Sequence, residues 1–186
     1  MQDLVNSSPT LREIAQKFKH KLEKIKVLAF DIDGVLTDGT ICYDGAEMGW
    51  NRTFYVQDGY GLKMMMQAGF KIAIISGGSS VAVKERFEKL LPVDYFFVGN
   101  EDKRQAYNTI LNDGFTDQEI LYIGDEFFDL PLLKRAGFSA TTPEASLEIQ
   151  EAVDYVTVRS AGRGCAREII DMLRYTIGFT PKIADF

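Results

Sequence analysis

The sequence VLAFDIDGVLTDG, at residues 27–39, contains the strongest structural signal in the chain. Its four leading apolar residues predict a buried strand over Val27–Phe30. Two carboxylates, Asp31 and Asp33, follow where that strand gives way to a loop, which is where open α/β sheets bind ligands. Because successive side chains of an extended chain point to opposite sides, the two carboxylates share one site only if the chain turns between them. Gly34 gives the backbone freedom directly after the pair.

Strand-like and helix-like segments alternate outward from this stretch. Further strands are predicted at 72–75, 95–98, 120–123, 138–140 and 155–158. Helices are predicted at 10–24, 60–68, 81–91, 103–112, 130–136 and 164–178. A β-hairpin is predicted straight after the first strand, with arms at 41–43 and 53–56 and a turn at 44–47. This order indicates an α/β fold with a parallel sheet and right-handed crossovers.

Length and charge narrow the class of protein. We expect the 186 residues to form a single domain over 1–186, with the hairpin inserted at about 40–56. A net charge of −6 without a basic run argues against nucleic acid or an anionic membrane as partner. The two cysteines predict no disulfide framework. No apolar run is long enough for a membrane span, and the polar N-terminus predicts a cytoplasmic protein without a signal peptide.

Polar residues follow the predicted strands at the ends that a parallel sheet brings to one edge. Asp31 and Asp33 follow the first strand, and Ser76 follows the second. Lys103 comes a few residues after the third, and Asp125 follows the fourth. Carboxylates with one hydroxyl and one ammonium suit magnesium-assisted phosphoryl transfer, because Mg²⁺ prefers oxygen ligands and screens the charge of a phosphate.

The ordered motifs resemble the haloacid dehalogenase superfamily of phosphatases. They are Asp-x-Asp-Gly-x-Leu-Thr-Asp-Gly, a Ser or Thr after the second strand, a Lys, and Gly-Asp-x-x-x-Asp, spread over about residues 26–177. The resemblance implies a three-layer Rossmann-like fold. It also implies that Asp31 is the nucleophile and Asp33 the general acid and base. Ser76 and Lys103 would hold the phosphoryl group, and Asp31, Asp33 and Asp125 would bind Mg²⁺.

Two further acidic residues of the last motif receive weaker roles from the resemblance. Asp129 would orient Lys103 or a metal-bound water, and Glu126 would lie outside the immediate shell of the metal. The short hairpin stands where other members of the superfamily carry a large cap. With this short hairpin and the motifs at 37–39, 57–63 and 162–168, the chain resembles the 3-deoxy-D-manno-octulosonate 8-phosphate phosphatases. That family acts in lipopolysaccharide biosynthesis.

That family resemblance implies a sugar-acid phosphate substrate and a homotetramer in which the hairpins associate and a neighbour covers each active site. The aromatic residues Tyr43, Trp50, Phe54 and Tyr55 would then lie at subunit contacts. The resemblance assigns substrate binding to Asp33, Tyr55, Val56, Gln57, Asp58, Gly59, Lys63, Arg86 and Lys103.

Two positions depart from the family pattern and keep alternatives open. Gln57 and Gly78 stand where the family usually has arginine, whose bidentate grip on a carboxylate neither residue reproduces. Phosphatases of nine-carbon 2-keto acids, such as nonulosonate or N-acylneuraminate 9-phosphate, are therefore an alternative reading. A non-catalytic scaffold protein and a phosphomutase are two others, although the retained aspartates disfavour the first and the short hairpin disfavours the second.

Overall fold

The computed structural model describes residues 9–182. Its strands are β1 (Val27–Phe30), β2 (Cys42–Tyr43), β3 (Trp50–Asn51), β4 (Lys71–Ser76), β5 (Tyr95–Val98), β6 (Ile120–Ile123), β7 (Phe138–Thr141) and β8 (Tyr155–Val156). Its α-helices are α1 (Leu11–Lys17), α2 (Lys19–Leu22), α3 (Gly45–Met48), α4 (Val56–Gln67), α5 (Val81–Lys84), α6 (Arg104–Asn112), α7 (Leu130–Leu133), α8 (Leu147–Glu151) and α9 (Cys165–Thr176). Shorter helical turns cover Ile32–Leu36, Glu85–Leu90, Asp117–Glu119 and Phe127–Asp129.

Six strands form one parallel sheet in the order β5-β4-β1-β6-β7-β8. Strand β1 lies between β4 and β6, with Phe30 opposite Ile74 on one side and Ile123 on the other. Leu28 and Phe30 pack into a core under α1, α2, α4 and α9, whereas Val27 and Ala29 pack into a second core under α6, α7 and α8. Both faces of the sheet are therefore covered, and the predicted three-layer α/β fold is confirmed.

The inserted hairpin differs from its prediction. Its second arm is β3, not 53–56, and a short helix rather than a turn joins the arms. The run from Thr53 to Val56 has high strand propensity, but Phe54 packs edge-on against Phe87, with ring centroids 5.5 Å apart, and α4 already begins at Val56. Tertiary packing therefore overrides local propensity here. The rings of Tyr43 and Trp50 lie 5.1 Å apart and stay 58% and 52% exposed.

Two further features concern the helices and the tail of the chain. The single helix predicted at 10–24 is split at Phe18, whose ring packs against Phe138 and Tyr155. The tail at 179–186 lies partly outside the described residues, although Phe179 packs against the core. Between residues 9 and 182, every helix is too short or too polar to cross a membrane.

Candidate active site

The carboxyl ends of β1, β4 and β6 form an acidic crevice. Asp31 follows β1, Ser76 ends β4, and Asp125 lies two residues after β6. The turn after β1 depends on Gly34, whose φ of +82° favours glycine. A Cβ atom there would stand 1.9 Å from Oδ2 of Asp125. The missing side chain thus lets the loops after β1 and β6 meet.

Lys103 occupies the buried centre of the crevice. Its Nζ lies 2.9 Å from Oδ2 of Asp31 and 2.6 Å from Oδ1 of Asp129, and it stands 4.5 Å from the centroid of the Phe128 ring. The three charged side chains are almost fully buried. An ammonium group withdrawn from water is costly unless it is paired, so the two carboxylates are what allow a lysine here.

Asp129 is held on both of its oxygens. Oδ1 accepts hydrogen bonds from Lys103 and, at 2.5 Å, from the hydroxyl of Tyr122. Oδ2 accepts from the backbone N–H groups of Asp125 and Glu126, both at 3.1 Å. Asp129 therefore fixes Lys103 and the loop that carries Asp125. The exposed Glu126 side chain accepts from the N–H of Phe127 and stays outside this cluster.

Tyr122 was missed by the sequence analysis. It lies in the middle of β6, where the pattern predicts only a buried strand. The sequence does contain one signal for this contact, a tyrosine in a strand of otherwise aliphatic residues. A buried tyrosine hydroxyl usually finds a hydrogen-bond partner, so its presence indicates a polar group nearby.

The crevice fits a divalent cation. Oxygen atoms of Asp31, Asp125 and Asp129 lie within 4.8 Å of one another. Among the described residues, Oδ1 of Asp125 is buried without a hydrogen-bond partner. Burial, together with the charges of Asp31 and Asp129, raises the pKa of Asp125 to about 8. Burial chiefly raises the pKa of Asp31 to about 6. An unpartnered oxygen among mutually repelling carboxylates is the environment that a hard cation relieves.

Without a divalent cation, the protein is expected to lose stability as pH rises from about 5 to about 8. The pKa values of Asp31 and Asp125 are raised above those of the unfolded chain. The folded state then binds more protons in this window, so the free energy of unfolding decreases with pH. Because Mg²⁺ binds deprotonated carboxylates, the rise in Tm on adding MgCl₂ should be larger at about pH 8 than at about pH 6.

Thermal unfolding in EDTA and in MgCl₂ across this range measures both effects. Asp125→Asn should flatten the pH dependence and lose most of the magnesium effect. Asp113→Asn, a change at the surface end of α6, should leave both as in the wild type. A magnesium effect of equal size at both pH values would contradict the expectation.

The carboxylate of Asp33 turns away from the other acids and pairs with Arg52. Nε and Nη2 of Arg52 lie 2.5 and 2.7 Å from its two oxygens. The hydroxyl of Thr37 lies 3.4 Å from Oδ1. Ser76, buried on the next strand, accepts a hydrogen bond from the N–H of Gly78 and keeps its hydroxyl proton for another acceptor. Arg52 was also missed by the sequence analysis, because it belongs to the hairpin and does not follow a strand of the parallel sheet.

Apart from Asp33 and Lys103, the residues assigned to substrate binding by resemblance lie on α4 or next to it, but in different environments. Tyr55 precedes the helix, and Val56 and Lys63 are exposed on it. Gln57 accepts a hydrogen bond from Arg159 at 3.1 Å. A Cβ atom added at Gly59 would stand 2.4 Å from Nη2 of Arg86, so the Arg86 side chain lies directly against this glycine.

Asp58 is instead turned into the interface between α4 and α9. Its side chain is 2% exposed, and Oδ1 accepts from the N–H of Arg167 at 2.7 Å. Burial raises its pKa to about 6. This contact joins two helices through one oxygen of Asp58, whereas its Oδ2 is buried without a hydrogen-bond partner among the described residues.

Fold and site together define a hydrolase of the haloacid dehalogenase class. Residues 96–169 match the family model described as haloacid dehalogenase-like hydrolase. The chain is 37% identical to 3-deoxy-D-manno-octulosonate 8-phosphate phosphatase KdsC of Haemophilus influenzae, over 83% of this chain and 86% of the relative. The chain belongs to this phosphatase family within the haloacid dehalogenase-like hydrolases.

Two solved structures are similar over most of their length. One is 3-deoxy-D-manno-octulosonate 8-phosphate phosphatase from Moraxella catarrhalis in complex with magnesium ion, phosphate ion and KDO. It has a TM-score of 0.81 and 34% identity, with 87% of this chain and 92% of that chain covered. A putative hydrolase of the same superfamily (subfamily III A) from Legionella pneumophila has a TM-score of 0.83 and 37% identity, with 89% and 91% covered.

Proposed function

We propose that this protein is a Mg²⁺-dependent phosphatase that hydrolyses 3-deoxy-D-manno-octulosonate 8-phosphate to the free sugar acid and phosphate. The observation that carries the proposal is the position of Asp31. Its carboxylate is held by the buried ammonium of Lys103 beside the unpartnered oxygen of Asp125. The M. catarrhalis relative with magnesium, phosphate and KDO supports the choice of metal and substrate.

In the first half of the reaction, Asp31 attacks the phosphorus atom. Its Oδ1 accepts from the N–H of Ile32 at 2.6 Å and Oδ2 faces Lys103, so the carboxylate is fixed before substrate arrives. The bond from phosphorus to the sugar oxygen breaks as the bond to Asp31 forms, and Asp33 gives its proton to the departing alcohol. Lys103 and the hydroxyl of Ser76 donate to the phosphoryl oxygens.

In the second half, water regenerates Asp31. Asp33, now ionised, takes a proton from a water molecule, whose oxygen forms a bond to phosphorus while the bond to Asp31 breaks. Phosphate leaves, and Asp33 is protonated again for the next cycle. The carboxylates of Asp31 and Asp125 and the backbone carbonyl of Asp33 would hold Mg²⁺. When bound, the ion neutralises negative charge shared by the carboxylates and the phosphate.

Arg86 is the strongest candidate to select an acidic substrate. Its guanidinium stacks 4.5 Å from the centroid of the Phe54 ring, and within residues 9–182 its buried Nε has no hydrogen-bond partner. A desolvated cation with an unused donor suits a carboxylate ligand. The remaining proposed neighbours of the substrate are Tyr55, Val56, Gln57, Asp58, Gly59 and Lys63.

We further propose a homotetramer that is assembled through the hairpins. The large apolar side chains of the hairpin that stay exposed are Ile41, Tyr43, Met48 and Trp50. An apolar patch of this kind usually marks an interface. We also propose that 1–186 is one domain of a cytoplasmic protein, and the free thiols of Cys42 and Cys165 fit a reducing compartment.

The proposed activity is tested with a panel of 2-keto sugar-acid phosphates and the purified full chain in MgCl₂. We expect the eight-carbon 8-phosphate to give the highest kcat/KM, with phosphate released into solution. A higher kcat/KM for a nine-carbon 9-phosphate would favour the alternative substrate. A rearranged phosphate ester without free phosphate would indicate a mutase. If a folded protein released no phosphate from any of them, the phosphatase proposal would fail.

A further inference from the structure

Arg52 connects the inserted hairpin to the acidic crevice. It stands directly after β3, and its side chain is only 6% exposed although the hairpin around it is mostly open to solvent. Nε and Nη2 approach the two carboxylate oxygens of Asp33 at 2.5 and 2.7 Å. Two parallel N–H to oxygen bonds form the fork that fixes the plane of a carboxylate, which a single bond does not.

Gly78 makes room for this fork. A Cβ atom at residue 78 would stand 2.6 Å from Nη2 of Arg52 and 2.8 Å from Oδ2 of Asp33. Its φ lies outside the left-handed range, so space and not backbone conformation calls for glycine here. The guanidinium therefore occupies the volume that a side chain at residue 78 would fill.

Three of the five N–H donors of Arg52 point to acceptors within the chain itself. Nη1 lies 3.4 Å from the carbonyl oxygen of Trp50, and the other two contacts go to Asp33. Within residues 9–182, the other polar side-chain contact to this carboxylate is the 3.4 Å approach of Thr37, which is long for a hydroxyl donor. The Asp33 side chain is 32% exposed, so Arg52 supplies most of its restraint.

We propose that Arg52 is a positioning residue that holds Asp33 in the orientation for proton transfer: its fork uses one lone pair on each carboxyl oxygen and leaves the other lone pairs to carry the transferred proton. The inference rests on the proposed phosphatase reaction, in which Asp33 protonates the departing alcohol. General acid catalysis contributes about 10²- to 10⁴-fold to a rate, and a misplacement of about 1 Å costs up to about 10²-fold. Loss of the fork should therefore weaken catalysis most where the leaving group needs a proton.

Three substrates separate this role from others. The eight-carbon sugar-acid phosphate has a poor leaving group and a carboxylate, glucose 6-phosphate has a poor leaving group and no carboxylate, and p-nitrophenyl phosphate has a leaving group that departs without a proton. The ratio kcat/KM reports the steps up to the first irreversible one, here the departure of the alcohol or phenol. It is measured for the wild type, Arg52→Ala, Arg52→Lys and Arg135→Ala.

Arg52→Ala is expected to lower kcat/KM by about 10- to 100-fold for both sugar phosphates, and by less than about threefold for p-nitrophenyl phosphate. Arg52→Lys keeps the charge but not the fork, so its loss should be intermediate. Arg135→Ala removes an arginine that pairs with Asp117 just before β6, at the end of that strand opposite to the crevice, and it should behave as wild type.

Gly78→Ala provides a second variant with Arg52 intact. Its methyl group should displace the fork and reproduce the same substrate pattern. In the double variant Gly78→Ala/Arg52→Ala, the loss should be smaller than the product of the two single losses, because the guanidinium that the methyl group displaces is already gone. Circular dichroism and Tm establish that each variant is folded.

Other outcomes overturn the inference. A loss confined to the carboxylate-bearing substrate would mean that Arg52 binds the substrate directly. An equal loss of kcat/KM on all three substrates would mean that Arg52 acts on the nucleophile or on the fold. No loss on any substrate would mean that Arg52 has no role in the reaction. If the wild type hydrolyses none of the three, the proposed function itself fails, and that result is distinct from the other three.

Discussion

Replacing Asp31 with asparagine is expected to abolish phosphate release while leaving the fold intact. The amide is nearly isosteric but is not a nucleophile, so turnover should fall by about three orders of magnitude or more. Stability should change little, because the exchange also removes a buried charge that Asp129 and Asp125 repel, and Lys103 keeps its ion pair with Asp129. Phosphate release in MgCl₂ and Tm in EDTA measure the two parts of the expectation.

The control for this variant is Asp113→Asn, which removes a surface carboxylate that accepts from the hydroxyl of Tyr95. It should keep wild-type turnover. An Asp31→Asn protein with substantial activity would exclude Asp31 as the nucleophile. A variant that is inactive and unfolded would show that the residue is needed for folding, and the isosteric exchange would then not report on chemistry.

Lys103→Met should cost both activity and stability. It removes the ammonium between Asp31 and Asp129 and leaves two buried carboxylates facing each other without a positive charge. Breaking a buried ion pair on one side costs about 3–5 kcal/mol of the free energy of unfolding. Turnover should also fall sharply, because no donor replaces Nζ at the phosphoryl oxygens. Urea unfolding in EDTA and phosphate release in MgCl₂ measure the two effects.

Two comparisons make this prediction specific. Lys71→Met removes a half-exposed lysine that pairs with Asp94, and it should lower the free energy of unfolding far less than Lys103→Met, because surface ion pairs contribute little. In the double variant Lys103→Met/Asp129→Asn, the loss should be smaller than the sum of the two single losses, because the second change removes one of the stranded charges. If Lys103→Met were as mild as Lys71→Met, the lysine would not be the electrostatic centre of the crevice.

Much of the fold was predictable because the strong signals are local. Each parallel strand is a short apolar run next to a polar residue, and parallel pairing brings those polar residues to one edge whatever the details of the loops. Asp31, Ser76 and Asp125 therefore stand at neighbouring strand ends. The hairpin was harder, because a two-residue strand has no periodicity and the propensity of the run at 53–56 points to the wrong segment.

The unpredicted parts of the site depend on contacts between distant residues. Tyr122 reaches Asp129 and Arg52 reaches Asp33, and neither pairing has a signature in composition or spacing. Asp58 shows that a motif in the sequence does not fix the orientation of its side chains. Its motif lies beside substrate-binding positions in the family that it resembles, yet this side chain points to the start of α9. A motif identifies a segment of chain, and only the packing decides which way each side chain turns.

The contact between Arg52 and Gly78 means that two positions 26 residues apart in the sequence share one volume. A large side chain fits at one of them only if the other stays small or turns away. Across related chains, side-chain size at these two positions should therefore be inversely correlated, so that an arginine is supplied either by the hairpin or by the loop after β4. Evolution can then exchange the origin of a guanidinium without altering the sheet that carries the chemistry.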